Sequence, residues 1–400
     1  MNSKNNFKTL MTIILTAIIT FTVTYLWLYG KTKQVENAET TIGNALASDN
    51  LSTKLNLIKS KIEQQYIGKV DDEQMKEYAV KGYVAGLDDE YTEYFTKDEM
   101  ESYTEETFAE YVGIGIYMYT DRQNDIIKVK EVMEGSPAEA AGMKDDDIIR
   151  KVGDEVITAE DDSTISSIIK GKAGTTVKID VEREGKIITL DIVRNYVKVK
   201  NVKSQMMDNN IGYIYISSFE GDVSTQFKEE YDNLTKNNMK ALILDLRNNG
   251  GGIANEAVEI GDFFTNKGET LLIQSDKNGK EVVSVSENDK EISMPTAVLT
   301  NKYSASASEI LAGILKEKVD NATLIGNKTY GKGVIQTLFQ LSDGSGLKLT
   351  TNKYYTPNRN DINKKGIEPD ITTEEYTFKG KLDKDNDIQL KKAIETLQKK

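Results

Sequence analysis

The chain has 400 residues, with 51 Lys or Arg against 64 Asp or Glu, a formal net charge of −13, and neither histidine nor cysteine. That inventory excludes disulfides, thiol nucleophiles, Ser-His-Asp triads and the usual zinc sites. Lysines and acids are interspersed, and the acidic balance argues against nucleic acid as the main partner, because phosphate binding needs a basic face.

The first element in chain order is the apolar run "TLMTIILTAIITFTVTYLWLY", Thr9 to Tyr29, about the length of one bilayer-crossing helix. Tyr25, Trp27 and Tyr29 lie near one end, where aromatic rings favour the membrane interface. Lys4 and Lys8 precede the run and suggest a cytoplasmic N-terminus, although Lys31 and Lys33 follow it. No small-x-small cleavage site follows, so the segment reads as an uncleaved anchor rather than a signal peptide. Residues 1–30 are thus a tail and transmembrane helix.

Residues 31–107 form an N-terminal helical region. Leu51, Leu55, Ile58 and Ile62 recur at helical spacing, and a second such stretch runs from Met75 to Leu87. These read as packing or dimer-forming helices, which leaves a homodimer open. From Phe108 the pattern changes to short β-rich runs with glycine turns. Here "YVGIGIYM" is followed by "VMEGSPAEAAGMKDDDIIRKVGDEVI", which supplies a Ser-Pro helix start, a glycine stop at Gly142, then a strand and a turn. The Gly113–Gly115 pair alone reads as a bulge or tight turn. With its flanks it resembles a PDZ domain, placed at 108–197. The resemblance implies that Gly113, Ile114, Gly115 and Ile116 present backbone N–H groups to a peptide's C-terminal carboxylate while the sheet edge accepts the peptide as a strand.

Strands and helices alternate from Ile211 onwards: "IGYIYISSF", "MKALILDL", a helix from about Ile253 to Phe264, "TAVLT", a helix through about Lys316, and "ATLIG". That order predicts a β/α core with crossover helices over 198–380, closed by a surface helix within 381–400. Glycine-rich "RNNGGG" reads as a turn whose amides could face an anion, but it lacks dinucleotide-binding spacing. "GNKTYGKG" misses a phosphate-binding P-loop, since Gly333 stands where Ser or Thr should follow Lys332 and a strand-like run comes next. No cofactor and no metal are expected.

"SASASEI" places hydroxyls at a strand-to-helix turn, where helix N–H groups can hold an oxyanion. Without histidine, the base must be a lysine, a tyrosine or a carboxylate, and a lysine must be desolvated to be neutral. Lys332 lies between two glycines that permit close packing. If Lys332–Gln336 is extended, Lys332, Val334 and Gln336 share a face, and Gln336 can hold the amine without adding charge.

Together "SASASEI", "TYGKGVIQ", "DLRNNGGG" and "KYYTPNRNDINKKGIEPDI" resemble the carboxyl-terminal processing peptidases of the S41 family, from about Leu57 to the C-terminus. The resemblance implies an α/β peptidase core of crotonase-like architecture with an inserted PDZ domain. It also implies Ser306 as nucleophile, Lys332 as general base, Gln336 orienting it, and the amides of Gly251 and Ala307 as oxyanion donors. Ser304 and Ser308 are then structural, with Ser308 at the helix cap. Relative to the family, Gly250 replaces a frequent proline and Tyr303 a frequent glycine, the latter expected to narrow the pocket. The Ser306–Lys332 interval is one residue longer, the surplus falling in "EKVDN". The expected activity is serine endopeptidase cleavage of unfolded or flexible C-terminal tails, at the cell membrane with the catalytic domain outside the cytoplasm. A catalytically silent PDZ module that captures tails, or an esterase or transpeptidase on the same dyad, are the competing readings.

Overall fold

The computed structural model describes residues 50–399 together with Lys31 and Lys33. The run 9–29, on which the membrane anchor rests, lies outside the described residues, and no helix among those described is long and apolar enough to cross a membrane. Two compact units divide the chain, residues 1–80 and 81–400. In the first, Asn50 caps helix α1 (Leu51–Gln65) by accepting from the Thr53 amide at 3.2 Å. The apolar spacing that predicts this helix leaves Leu51, Leu55 and Ile58 exposed. Helix α2 (Asp72–Ala85) follows.

In the second unit, β1 (Glu93–Phe95) precedes α3 (Lys97–Thr107), whose start is closed by reciprocal bonds between Thr96 and Glu99. A β-rich body comes next: β2 (Glu110–Gly113), β3 (Ile116–Asp121), β4 (Ile126–Val132), α4 (Pro137–Ala140), β5 (Ile148–Val152), β6 (Glu155–Val156), α5 (Ile165–Ile169), β7 (Thr176–Arg183), β8 (Lys186–Val193) and β9 (Asn195–Lys198). β2 pairs with β9, so the chain enters and leaves this body side by side. The others form one antiparallel sheet, β3-β4-β5-β7-β8, with β6 beside β5. Its core is the alternate residues of these strands, such as Ile127 with Val129 and Ile179 with Val181, all buried.

The remaining elements are β10 (Val202–Met206), β11 (Ile211–Ile216), α6 (Val223–Lys236), β12 (Ala241–Asp245), α7 (Ala254–Asp262), β13 (Thr270–Asp276), β14 (Glu281–Val285), β15 (Thr296–Thr300), α8 (Ala307–Lys318), β16 (Ala322–Gly326), β17 (Val334–Gln340), β18 (Gly346–Tyr355), β19 (Ile371–Thr372) and α9 (Ile388–Leu397). The main sheet runs β10-β11-β12-β15-β16-β19, parallel except at β10. β12 and β15 are buried at every position, which is why they read as unbroken apolar runs. Leu242, Leu244 and Val298 join a core with residues of α6, α7 and α8, while Ile243, Ala297 and Leu299 join a separate core with residues of α9.

The C-terminal helix lies at the surface with one face packed on the sheet and the other exposed. Leu390 and Ala393 are fully buried, and Asp387 and Gln389 bind Arg247 at the end of β12. Parallel neighbours end together, so the loops after β11, β12 and β15 gather at one edge of the sheet, the usual place for a site in an open α/β sheet. A second sheet, β1-β18-β13-β14 with β17 on β18, supplies the remaining strands of this unit.

Candidate active site

Ser306 follows the turn after β15 and immediately precedes α8, with φ +55° and ψ −116°. A non-glycine residue in that region is strained and persists only where its surroundings hold it. Here they do. Its amide donates to Glu309 Oε2 at 2.9 Å, and its carbonyl accepts from the Tyr354 hydroxyl at 3.2 Å. Ser304 and Ser308 are buried and structural: Ser304 Oγ donates to the Leu246 carbonyl, Ser308 Oγ to the Asn249 carbonyl. Ser308 is not the cap, because the helix begins at Ala307 and Ser306 caps it.

The loop after β12 is held by its own polar side chains. Arg247, buried, is paired with Asp245 at 2.6 Å and Asp387 at 2.8 Å and stacks on Phe378. Asn249 donates to the Ile216 carbonyl and accepts the Gly251 amide at 2.8 Å. The Gly251 N–H, expected as an oxyanion donor, therefore already has an acceptor. The amides of Gly252 and Ala307 have none among the described residues. Gly251 serves by its shape: φ is +107°, and a Cβ there would lie 2.7 Å from Ser306 Cβ and 3.0 Å from the Ala307 nitrogen. Gly250, by contrast, has open space around it, so nothing there demands glycine.

Lys332 opens onto the same cleft as Ser306, about 500 Å³ in volume, with Gly252, Tyr91, Gln336 and Lys348 among its walls. Burial pushes the Lys332 amine below its ordinary range, and the Lys348 charge adds to this; Asp89, Glu90 and Glu309 pull the other way. Its Nζ lies 4.4 Å from the centre of the Tyr91 ring. No hydrogen bond joins it to Ser306 Oγ or to Gln336. The simple alternation expected for Lys332–Gln336 is broken by a register shift between Ile335 and Gln336. Gln336 still reaches the cleft, and its Nε2 donates to Thr350 Oγ1 at 3.1 Å. Tyr303 is largely exposed and does not line the cleft, so it does not narrow it.

Residues 210–373 match Peptidase family S41, residues 111–193 match a PDZ domain, and residues 13–99 match the activating protease CtpB N-terminal domain. The chain is 35% identical over 372 residues to the carboxy-terminal processing protease CtpA of Bacillus subtilis (strain 168), covering 93% of this chain and 78% of that protein. This chain belongs to the S41 carboxy-terminal processing peptidases. It is a serine peptidase of the carboxy-terminal processing kind, acting on peptides or proteins. A "Probable CtpA-like serine protease" of Staphylococcus aureus (strain COL) is 35% identical over 363 residues, 90% of this chain and 70% of that one. Among solved structures, the photosystem II D1 C-terminal processing protease is 25% identical with a TM-score of 0.45, over 84% of this chain and 91% of that one.

In this S41 peptidase, one residue that sequence reasoning passed over ties Ser306 to Lys332. The buried Glu309 carboxylate accepts from the amides of Ser306, Gly331 and Lys332 and from the Thr329 hydroxyl, at 2.6 to 2.9 Å. It thereby fixes the Ser306 and Lys332 backbones to one group. A signal was present: Ser306-Ala-Ser-Glu309 has the spacing of a helix capping box.

The PDZ loop has a second groove, about 170 Å³, lined by Tyr111, Gly113, Ile114, Ile116, Met118 and Lys170 among others. The carbonyls of Ile114 and Gly115 accept from Ala138 and Met133, which fastens the loop to the α4 segment. Gly115 is obligatory, with φ +80° and a Cβ position 2.4 Å from Ser136 Cβ. Ile114 is not in the open groove wall alone; it is nearly fully buried in the PDZ core. The Tyr111 hydroxyl lies against the Gly115 amide, and burial pushes it up to about 12. Lys170 sits over the Tyr111 ring and pairs with Glu105.

Proposed function

We propose that this peptidase is a membrane-anchored serine endopeptidase that cleaves polypeptides near or from their C-terminal tails with a Ser306–Lys332 dyad, its PDZ groove receiving the tail. The observation that carries this reading is a strained serine at a helix start, sharing a cleft with a desolvated lysine and tied to it through Glu309. Ser306 Oγ attacks the scissile carbonyl as Lys332 accepts its proton, and the amides of Ala307 and Gly252 hold the oxyanion. Lys332 then protonates the leaving amine. Water, deprotonated by the same amine, resolves the acyl-enzyme.

The amine rests on Tyr91 without contact to Ser306, so the productive bond forms when substrate fills the cleft. The PDZ groove gates this step in our reading. A tail carboxylate takes the Gly115 amide from the Tyr111 hydroxyl, next to the Lys170 charge. The apolar run 9–29 supports a single-pass anchor with the catalytic unit outside the cytoplasm, and the cysteine-free composition is compatible with that compartment. The apolar positions of α1 support a homodimer.

The test uses the full chain in detergent with an unfolded protein, beside Ser306→Ala, with the substrate's C-terminus free or amidated. Cleavage by the parent alone, faster on the free terminus, supports both halves of the proposal. Binding of the tail without cleavage by either form returns the protein to a capture module. Alkaline washing of membranes and protease treatment of intact cells test the anchor and its orientation.

A further inference from the structure

The segment Asp89–Thr92 is more than two hundred residues from the dyad in sequence, yet it reaches the cleft because β1 pairs with β18 through Glu93 and Lys348. Its fastening is specific. The Thr350 amide donates to Thr92 Oγ1 at 3.1 Å, the Thr92 hydroxyl to Asp89 Oδ2 at 2.5 Å, and the Tyr91 amide to Asp89 Oδ1 at 3.3 Å. Thr350 faces both ways: its amide donates to Thr92 Oγ1, itself bonded to Asp89, and its hydroxyl oxygen accepts from Gln336 Nε2 at 3.1 Å.

The polarity of that chain follows from proton counting. An ionised carboxylate accepts and never donates, whereas a hydroxyl has one proton and spare lone pairs. Thr350 Oγ1 accepts from Gln336 Nε2, so its own proton is free for a second acceptor, and the neighbouring Asp89 carboxylate can only accept. Gln336 Nε2 is turned to Thr350, and Oε1 is left for another donor. The Lys332 amine lines the same cleft.

We propose that Asp89 and Thr350 are positioning residues for the general base: they fix the Gln336 amide so that Oε1 holds one N–H of the Lys332 amine while its lone pair turns to Ser306 Oγ. The inference rests on Lys332 being the base. Besides Gln336, the groups that face this amine are Lys348 from β18, Asp89, Glu90 and the Tyr91 ring from the segment before β1, and Glu309 from α8.

Thr350→Val removes the hydroxyl at constant shape and lets the Gln336 amide reverse. In the full chain, with β-casein as the unfolded substrate, kcat should fall about tenfold or more with KM within about twofold. Thr350→Ser should restore most of the rate. In a Gln336→Ala background, Thr350→Val should cost nothing further, because its effect passes through that amide. A second readout needs no turnover: NMR titration of Cε-labelled lysine, with Lys332 assigned by Lys332→Arg. Loss of an acceptor for the charged amine should lower the Lys332 midpoint in Thr350→Val. A parental rate with an unmoved midpoint, or an undiminished loss in the Gln336→Ala background, overturns the relay. If Ser306→Ala is inactive in that case, the dyad survives and the relay alone falls; if Ser306→Ala cleaves normally, the dyad itself is wrong.

Discussion

Gly115 and Gly251 occupy comparable backbone positions in two different loops. Both have positive φ, and both are pressed against a serine, Ser136 at 2.4 Å and Ser306 at 2.7 Å from the place a Cβ would take. Their supports differ. The loop of Gly251 is held by buried side chains: Asn249 takes its amide, and the Arg247 ion pairs root the loop to β12 and α9. The loop of Gly115 is held by two backbone carbonyls and borders an open groove. An oxyanion site works only if its donors are fixed before charge develops. A loop that receives varied peptide ends, as proposed for Gly115, would draw on a less tightly bonded part of the fold. A positive-φ glycine is thus held through buried side chains in one place and through backbone bonds in the other.

Substituting each glycine by alanine separates the two. Gly251→Ala should cut kcat by about 10²–10³, the scale of losing an oxyanion donor, because Ser306 and the Ala307 amide must move. It should also lower stability by about 1–3 kcal/mol, read by thermal unfolding. The acid side of the pH–rate profile should come next in size. Lys332 acts only when neutral, so kcat/KM should rise about tenfold per pH unit until the pH passes its depressed pKa, then level off. The plateau should begin below the ordinary lysine range. Gly115→Ala should slow free-carboxylate substrates several-fold, on the order of one lost charge-assisted hydrogen bond, and leave amidated substrates unchanged. Equal slowing of both would show that the PDZ loop does not read the terminus. Tyr303→Gly should have the smallest effect, within about twofold in kcat/KM, since the side chain is outside the cleft.

The β/α order was legible because β12 and β15 are buried on both faces, which leaves continuous apolar runs in the sequence. Ser306 and Lys332, the proposed nucleophile and base, could be named from their motifs, and the missing histidine narrowed the choice of base. Other features depend on contacts between distant segments. Asn249 takes the Gly251 amide through a side-chain bond that no spacing announces, so the amide expected to face an oxyanion is already bonded. The bulge after Ile335 defeats a period-two argument. Glu90 and Tyr91 reach the cleft through the pairing of β1 with β18. The lysines of the last helix mark its exposed face, while the role of Leu390, Ala393 and Leu397 in covering one face of the main sheet is a long-range contact.

The most direct measurement compares the full chain with Ser306→Ala and Lys332→Ala on one unfolded substrate, with thermal unfolding recorded for all three. The account predicts cleavage by the parent and a loss of at least about 10³-fold in each variant at unchanged fold. Parental cleavage by either well-folded variant would contradict it.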